Sequence, residues 1–323
     1  MASNSYGNLF RITTLGESHG SYIGVVIDGC PSNITIDEEF INYECNRRRP
    51  GQSSITTSRN EEDVVRIISG VYKNKSTGAP ICIIIENKNQ HSEDYKQLES
   101  VYRPSHADYP YHIKYGNFDI RGGGRSSARE TVARVAAGAI AKSILKIHNI
   151  DVIGYVSQIG NIICKRHYTS LDLNSIESSI VRCPDKEISL KMENLLKKIS
   201  KEGDSIGGKI TCIIKGVPAG IGEPIYDKLS ARLAYAILSI NACKGFEYGS
   251  GFKSASMKGS KNNDIFISQN GKIITKTNNN GGILGGISTG MDIWFNAAFK
   301  PISSISKNQK TVDYYGNNVN IEI

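Results

Sequence analysis

Long apolar runs are missing from this chain of 323 residues, and none approaches the roughly eighteen that a membrane-spanning helix needs. The N-terminus, MASNSYGNLFRITT, has neither a basic-then-apolar signal pattern nor the look of a transit peptide, so a cytoplasmic protein is expected. Cysteine is sparse and scattered. The seven thiols (Cys30, Cys45, Cys82, Cys164, Cys183, Cys212 and Cys243) include no Cys-x-x-Cys pair and no histidine at metal spacing. That excludes a zinc site and a disulfide framework, and reduced structural thiols are expected. No nucleophile elbow, Walker sequence or dinucleotide fingerprint after a strand is read, so hydrolase, P-loop and Rossmann functions are set aside. Aromatic residues make up only 8% of the chain.

What is present is positive charge, with a net +8. Many lysines fall in amphipathic settings such as EISLKMENLLKKISKEGD, where they form a solvated face. The arginines instead cluster in NRRRPGQSSITTSRNE and between Arg103 and Arg134, among glycine, serine and histidine. This composition favours a compact anion pocket, with a nucleic-acid track as the runner-up.

Five β-branched runs read as strands, at 22 to 29, 79 to 87, 150 to 165, 207 to 216 and 291 to 300. Apolar residues at helical spacing predict helices over 128 to 147, 186 to 201 and 228 to 241, the last with Asp227 as N-cap. A shorter helix is expected from Glu61. Strands and helices follow without a regular βαβ beat, so the fold class is α+β, in one domain over residues 1–323. Two apolar helices, each preceded by strands, would fit two similar halves.

The stretch DIRGGGRSSARET concentrates the chemistry. Three glycines allow close backbone approach, Arg121, Arg125 and Arg129 supply charge, and Ser127 with Glu130 has the spacing of a capping box. A helix N-terminus with a glycine turn and guanidinium groups binds anions. His19, in TLGESHG, and His106, in YRPSHADY, are the acid/base candidates. From these motifs alone the protein is an enzyme acting on a phosphorylated small anion.

The successive stretches GESHG, RRRPGQS, SGVYKNKSTGAPI, RPSHADYPY, RGGGRSSARETVARVAAGAIAK, GDSIGG, INACKGFEYG and GGILGGISTGMDIWFNAAFKPISSISKNQK resemble the signatures of the chorismate synthase family, in the family's order and over nearly the whole chain. The resemblance implies a β-α-β sandwich, helices packed between antiparallel sheets. It implies a lyase of the shikimate pathway that eliminates phosphate from 5-enolpyruvylshikimate 3-phosphate (EPSP) to give chorismate, with reduced FMN and no net redox change. By the same resemblance His19 would donate a proton near the leaving phosphate and His106 would lie by the reduced flavin. Arg48, Arg59, Arg103 and Arg129 would grip the substrate. FMN would touch Arg125, Ser126, Ser127, Asn241, Ala242, Gly285 and the run Lys300, Pro301, Ile302, Ser303 and Ser304. The family is usually a homotetramer. Its Arg-His-Asp-Pro segment lies beyond Ile323, which implies a C-terminally incomplete chain, so a subunit that binds ligands without turnover stays an alternative. Position 54 is Ser where some members carry arginine. An NADPH-dependent flavin reductase activity, known in bifunctional members, has no motif here.

Overall fold

The computed structural model describes residues 3–52, 61–88 and 100–322. The chain forms two compact units, Met1–Ile144 with Ser303–Ile323, and Leu145–Ile302.

The first unit is built on a five-stranded antiparallel sheet. In chain order its elements are β1 (Ser5–Tyr6), β2 (Arg11–Leu15), β3 (Tyr22–Asp28), α1 (Glu38–Arg48), β4 (Val65–Ser69), β5 (Val71–Tyr72), β6 (Lys75–Ser76), β7 (Ile81–Glu86), α2 (Asp108–Tyr115) and α3 (Thr131–Ile147). The sheet order is β1-β2-β3-β7-β4. Alternate residues of β3 and β7 (Ile23, Val25 and Ile27; Ile81, Ile83 and Ile85) point to one face and are fully buried. Against them pack Val132, Ala133, Ala136 and Ile140 of α3, with Ile41 and Cys45 of α1. The small alanines let α3 lie close on the sheet, and each buried isoleucine contributes about 1.5–3 kcal/mol of transfer free energy.

The second unit holds another five-stranded antiparallel sheet. Its elements are β8 (Asp151–Ile159), β9 (Ile162–Ile163), α4 (Lys186–Lys201), β10 (Gly208–Lys215), α5 (Leu229–Leu238), β11 (Cys243–Tyr248), α6 (Gly259–Asn262), β12 (Phe266–Gln269), β13 (Lys272–Thr275), β14 (Ile283–Leu284), β15 (Ile287–Ser288) and β16 (Ile293–Phe299). Its order is β11-β16-β10-β8-β9. The apolar run at 150 to 165 is a hairpin, turning at Gly160 (φ +54).

The C-terminal hairpin β17 (Gln309–Val312) and β18 (Asn318–Ile321) belongs to the first unit. Tyr102 N–H donates to the Val312 carbonyl at 3.1 Å, Val101 bridges Asp313, and the Tyr102 ring lies 4.6 Å from that of Tyr314. These contacts fix the segment that carries Arg103 and His106.

Three local expectations need correction. The segment after Glu61 is strand β4, because Val65 and Ile67 pair with β7 and the pleat buries Val65 while exposing Arg66. Asp227 does not cap α5. The helix starts at Leu229, whose N–H donates to the Gly286 carbonyl at 2.8 Å, and Asp227 lies 3.7 Å from Arg232 instead. Ser127 and Glu130 form no reciprocal box: Ser127 Oγ accepts from the Arg129 N–H, whereas Glu130 pairs with Arg134 at 2.8 Å. Helices α1 and α2 are absent from the sequence reading, since their apolar residues make no continuous stripe.

All seven cysteines are free thiols, and burial pushes Cys45 up to about 12 and Cys183 up to about 11. No helix among the described residues is long and apolar enough to cross a membrane.

Candidate active site

The glycine triplet is where loops of the first unit meet. Gly122, Gly123 and Gly124 all have positive φ (+59, +80 and +50), a conformation cheap only for glycine. Space is a second constraint. A Cβ on Gly122 would stand 2.5 Å from His19 Cδ2 and 2.8 Å from Ser18 Oγ, and one on Gly124 would stand 2.5 Å from the Asp119 carbonyl oxygen. The glycines therefore let the turn press against the buried His19 loop. That loop is tied back, because Ser18 N–H donates to the Gly124 carbonyl at 3.3 Å and Ser127 Oγ donates to Ser18 Oγ at 3.3 Å.

Asn87, at the end of β7, links this loop to the guanidinium cluster. Its amide donates to the Glu17 and Gly20 carbonyls at 3.2 and 2.7 Å, and its oxygen accepts from Arg129 Nε at 2.9 Å. Arg129 Nη1 then donates to Asp63, whose other oxygen accepts from Arg48 Nη1 at 3.0 Å. Arg48 Nη2 reaches the Ala128 carbonyl at 3.3 Å. Burial pushes the Arg48 guanidinium below its ordinary value, and Asp63 opposes the shift. Hydrogen bonding to Arg121 holds the Asp119 carboxyl below its ordinary range, with a smaller contribution from His19.

Thus Arg48, Arg129 and the loop that carries His19 share one hydrogen-bonded assembly. Arg103 is buried separately, clasped by Asp108 through Nε at 2.8 Å and Nη2 at 2.7 Å. His106 is half-buried, with Nδ1 3.0 Å from the Pro104 carbonyl oxygen and Nε2 3.2 Å from Ser304 Oγ. Ser303 Oγ donates to the Ser105 carbonyl at 3.2 Å, so Ser303 and Ser304 lie against the His106 loop. Arg125 sits differently from its neighbours. Its guanidinium is taken up by the Gly16 and Thr14 carbonyls, Thr14 Oγ1 and Asn4 Oδ1 at 2.7–3.2 Å. Ser126 Oγ caps the Gly123 carbonyl at 2.7 Å. Arg59 lies outside the described residues.

The remaining flavin expectations fall in the second unit. Ala242 has φ +64 and its carbonyl accepts from the Lys300 N–H at 3.0 Å, so Asn241, Ala242 and Lys300 meet where β11 and β16 pair. Lys300 is pushed below its ordinary value by burial and then by Lys244, a cation at the register shift of β11 that lies in the INACKGFEYG stretch but is given no role there. Pro301 packs on Gly207, and the Ile302 carbonyl accepts from Ser205 Oγ at 2.6 Å. Gly285 is in the β14–β15 turn, with open space where a Cβ would stand.

Gly286–Gly290 has the spacing Gly-x-Ser-x-Gly, which the sequence reading passed over. Ser288 is buried in β15 and donates to the Pro218 carbonyl at 2.6 Å, so it is no nucleophile elbow. Asn87 and Asp63, which join the assembly, were also missed, since no local pattern marks them.

Comparison with known proteins agrees with this geometry. The family model described as Chorismate synthase matches residues 10–323. A chorismate synthase of Bacteroides fragilis is 57% identical over 313 residues, covering 97% of this chain and 87% of the relative. One from Azobacteroides pseudotrichonymphae is 53% identical, covering 99% and 91%. A crystal structure of chorismate synthase superposes with a TM-score of 0.78 at 32% identity, covering 92% of this chain and 85% of that one. The α+β architecture is therefore that of a known enzyme, and the chain belongs to the chorismate synthase family.

Proposed function

We propose that the protein is a carbon–oxygen lyase that eliminates phosphate and a proton from EPSP to give chorismate. The observation that carries the reading is the Asp63 assembly: two guanidinium groups share one carboxylate beside the His19 loop, and Arg129 Nη2 and Arg48 Nε are buried without a hydrogen-bond partner among the described residues. Such a cluster is short of one negative charge, which a carboxylate or phosphate of the substrate supplies. Arg48, Arg103, Arg129 and, by sequence, Arg59 hold the substrate anions. His19, buried in a loop against Gly122, donates a proton to the departing phosphate oxygen. His106, oriented through Pro104 and Ser304, holds a proton close to the cofactor.

Reduced FMN, when bound, supplies electron density that weakens the allylic C–O bond. The residues assigned to it are proposed unit by unit: Arg125, Ser126, Ser127, Ser303 and Ser304 in the first, and Asn241, Ala242, Gly285, Lys300, Pro301 and Ile302 in the second. With the Arg125 side chain already engaged by protein oxygens, its contribution is to shape the turn and present main chain. A cytoplasmic homotetramer acting on a small molecule, without nucleic acid, completes the proposal.

The test is anaerobic phosphate release from EPSP with dithionite-reduced FMN, with oxidised FMN as the control. Release that needs reduced FMN and yields chorismate supports the lyase. Ligand binding without release supports the non-catalytic subunit, and salt-sensitive oligonucleotide binding indifferent to EPSP would point to a nucleic-acid protein.

A further inference from the structure

We infer that Asp63 is a positioning residue, the acid that aims Arg48 and Arg129 at the substrate. The inference rests on the proposed reading of those arginines as substrate contacts.

A carboxylate repels an anionic ligand, and both oxygens of this one are already taken by guanidinium groups, so Asp63 is not itself a substrate contact. Its two oxygens serve different guanidinium groups, one from the last turn of α1 and one from the turn entering α3. Each fork has a second anchor at right chemistry: the Ala128 carbonyl for Arg48 and the Asn87 amide oxygen for Arg129. Two anchors fix the plane of a guanidinium, and a fixed plane decides where its remaining N–H groups point. An acid present only to neutralise a buried arginine would engage one fork in bidentate fashion, as Asp108 does with Arg103. Asp63 instead divides its oxygens, leaving donors on both partners for an anion. Its backbone is at φ +50, a region Asp tolerates better than most residues, so the chain accepts local strain to bring this acid between the two arginines.

The experiment measures dissociation constants for EPSP by calorimetry and for FMN by fluorescence on Asp63→Asn, with Arg129→Lys in parallel. Asp63→Asn is expected to weaken EPSP at least ten-fold while FMN affinity stays within two-fold. Unchanged EPSP binding overturns the inference. So does tighter binding, the result that one more net positive charge alone would give, and so does equal loss of both ligands, the mark of a structural acid. If Asp63→Asn does not fold, Asp63→Glu is read the same way, with an expected loss of at least three-fold for EPSP alone. Failure of both variants to fold makes the acid structural and overturns the inference too. Unchanged EPSP binding in Arg129→Lys would instead remove the underlying reading of the arginines, whereas a weak Arg129→Lys beside a normal Asp63→Asn removes only the role of Asp63.

Discussion

The two units have sheets of equal strand number but interiors of different chemistry. Among the described residues, the first unit buries His19, Glu61, Asp63, Arg103, Asp108, Arg129 and Glu130, whereas the polar side chains buried in the second are hydroxyls: Ser157, Ser189, Thr211, Thr275 and Ser288. A buried hydroxyl is satisfied by one neighbouring oxygen, as Thr211 is by Asn296 at 2.7 Å. A buried guanidinium costs several kcal/mol to desolvate unless it is paired. The first unit bears that cost with Asp63, Asp108 and Asn87, and among the described residues it still leaves donors on Arg48 and Arg129 unmatched. Stability alone does not call for such an interior. The second unit follows the ordinary rule of an apolar core.

That contrast is open to attack by mutation. The largest effect is expected at Arg129. Arg129→Ala should lower kcat/KM by about 100-fold or more, because it removes a buried charge and leaves Asp63 half-paired. Steady-state kinetics with saturating reduced FMN read this, and a loss below ten-fold would mean that the charged interior is structural. In the second unit the matching change is Ile213→Ala, at a fully buried position of β10. It should cost about 2–5 kcal/mol of stability in urea unfolding while kcat per folded molecule holds. A comparable loss of kcat would blur the division between the units.

Gly122→Ala tests whether the glycine turn exists for His19. The new Cβ would meet the imidazole at 2.5 Å and the residue would sit at φ +59. A fall of about ten-fold in kcat is expected, with a stability loss of about 1–2 kcal/mol from the strained backbone. Wild-type kcat would show that the imidazole position is not critical.

The smallest effect concerns His167 in the second unit, whose ring lies edge-on to Trp294 at 5.7 Å. Burial pushes its imidazole below the ordinary 6.5. As pH falls through 6.5 the unfolded chain takes up this proton before the folded one, so the contribution to stability is full above that pH and shrinks on acidification. The drop in Tm between pH 7 and pH 5.5 should be smaller in His167→Gln than in the parent protein. An identical drop would assign the acid sensitivity to other groups.

Several features were legible because their signals are local. The runs at 22 to 29 and 207 to 216 are β-branched and form strands, and the helix at 186 to 201 has its Asp185 cap and its apolar spacing within one continuous segment. Other features were not legible for a definite reason. VVRII after Glu61 has apolar spacing that suits a short helix or a strand, and only a free edge of β7 makes it β4. The cap of α5 is a carbonyl of Gly286, far along the chain from Lys228, so Asp227 looked like the better answer.

The sequence by itself determined the family and the candidate chemistry, since eight contiguous signatures hold the glycine turn, the arginines and both histidines in readable order. Only the tertiary structure decided how those groups are paired. Asp63 is 15 residues from Arg48 and 66 from Arg129, and Asn87 is 42 from Arg129. Which guanidinium is engaged by protein oxygens through both Nη groups, as Arg125 is, and which has a buried donor without a partner among the described residues, as Arg129 does, depends on distances between loops that fold together. Local sequence specifies the groups; hydrogen bonds that close over long separations specify their charge balance and direction.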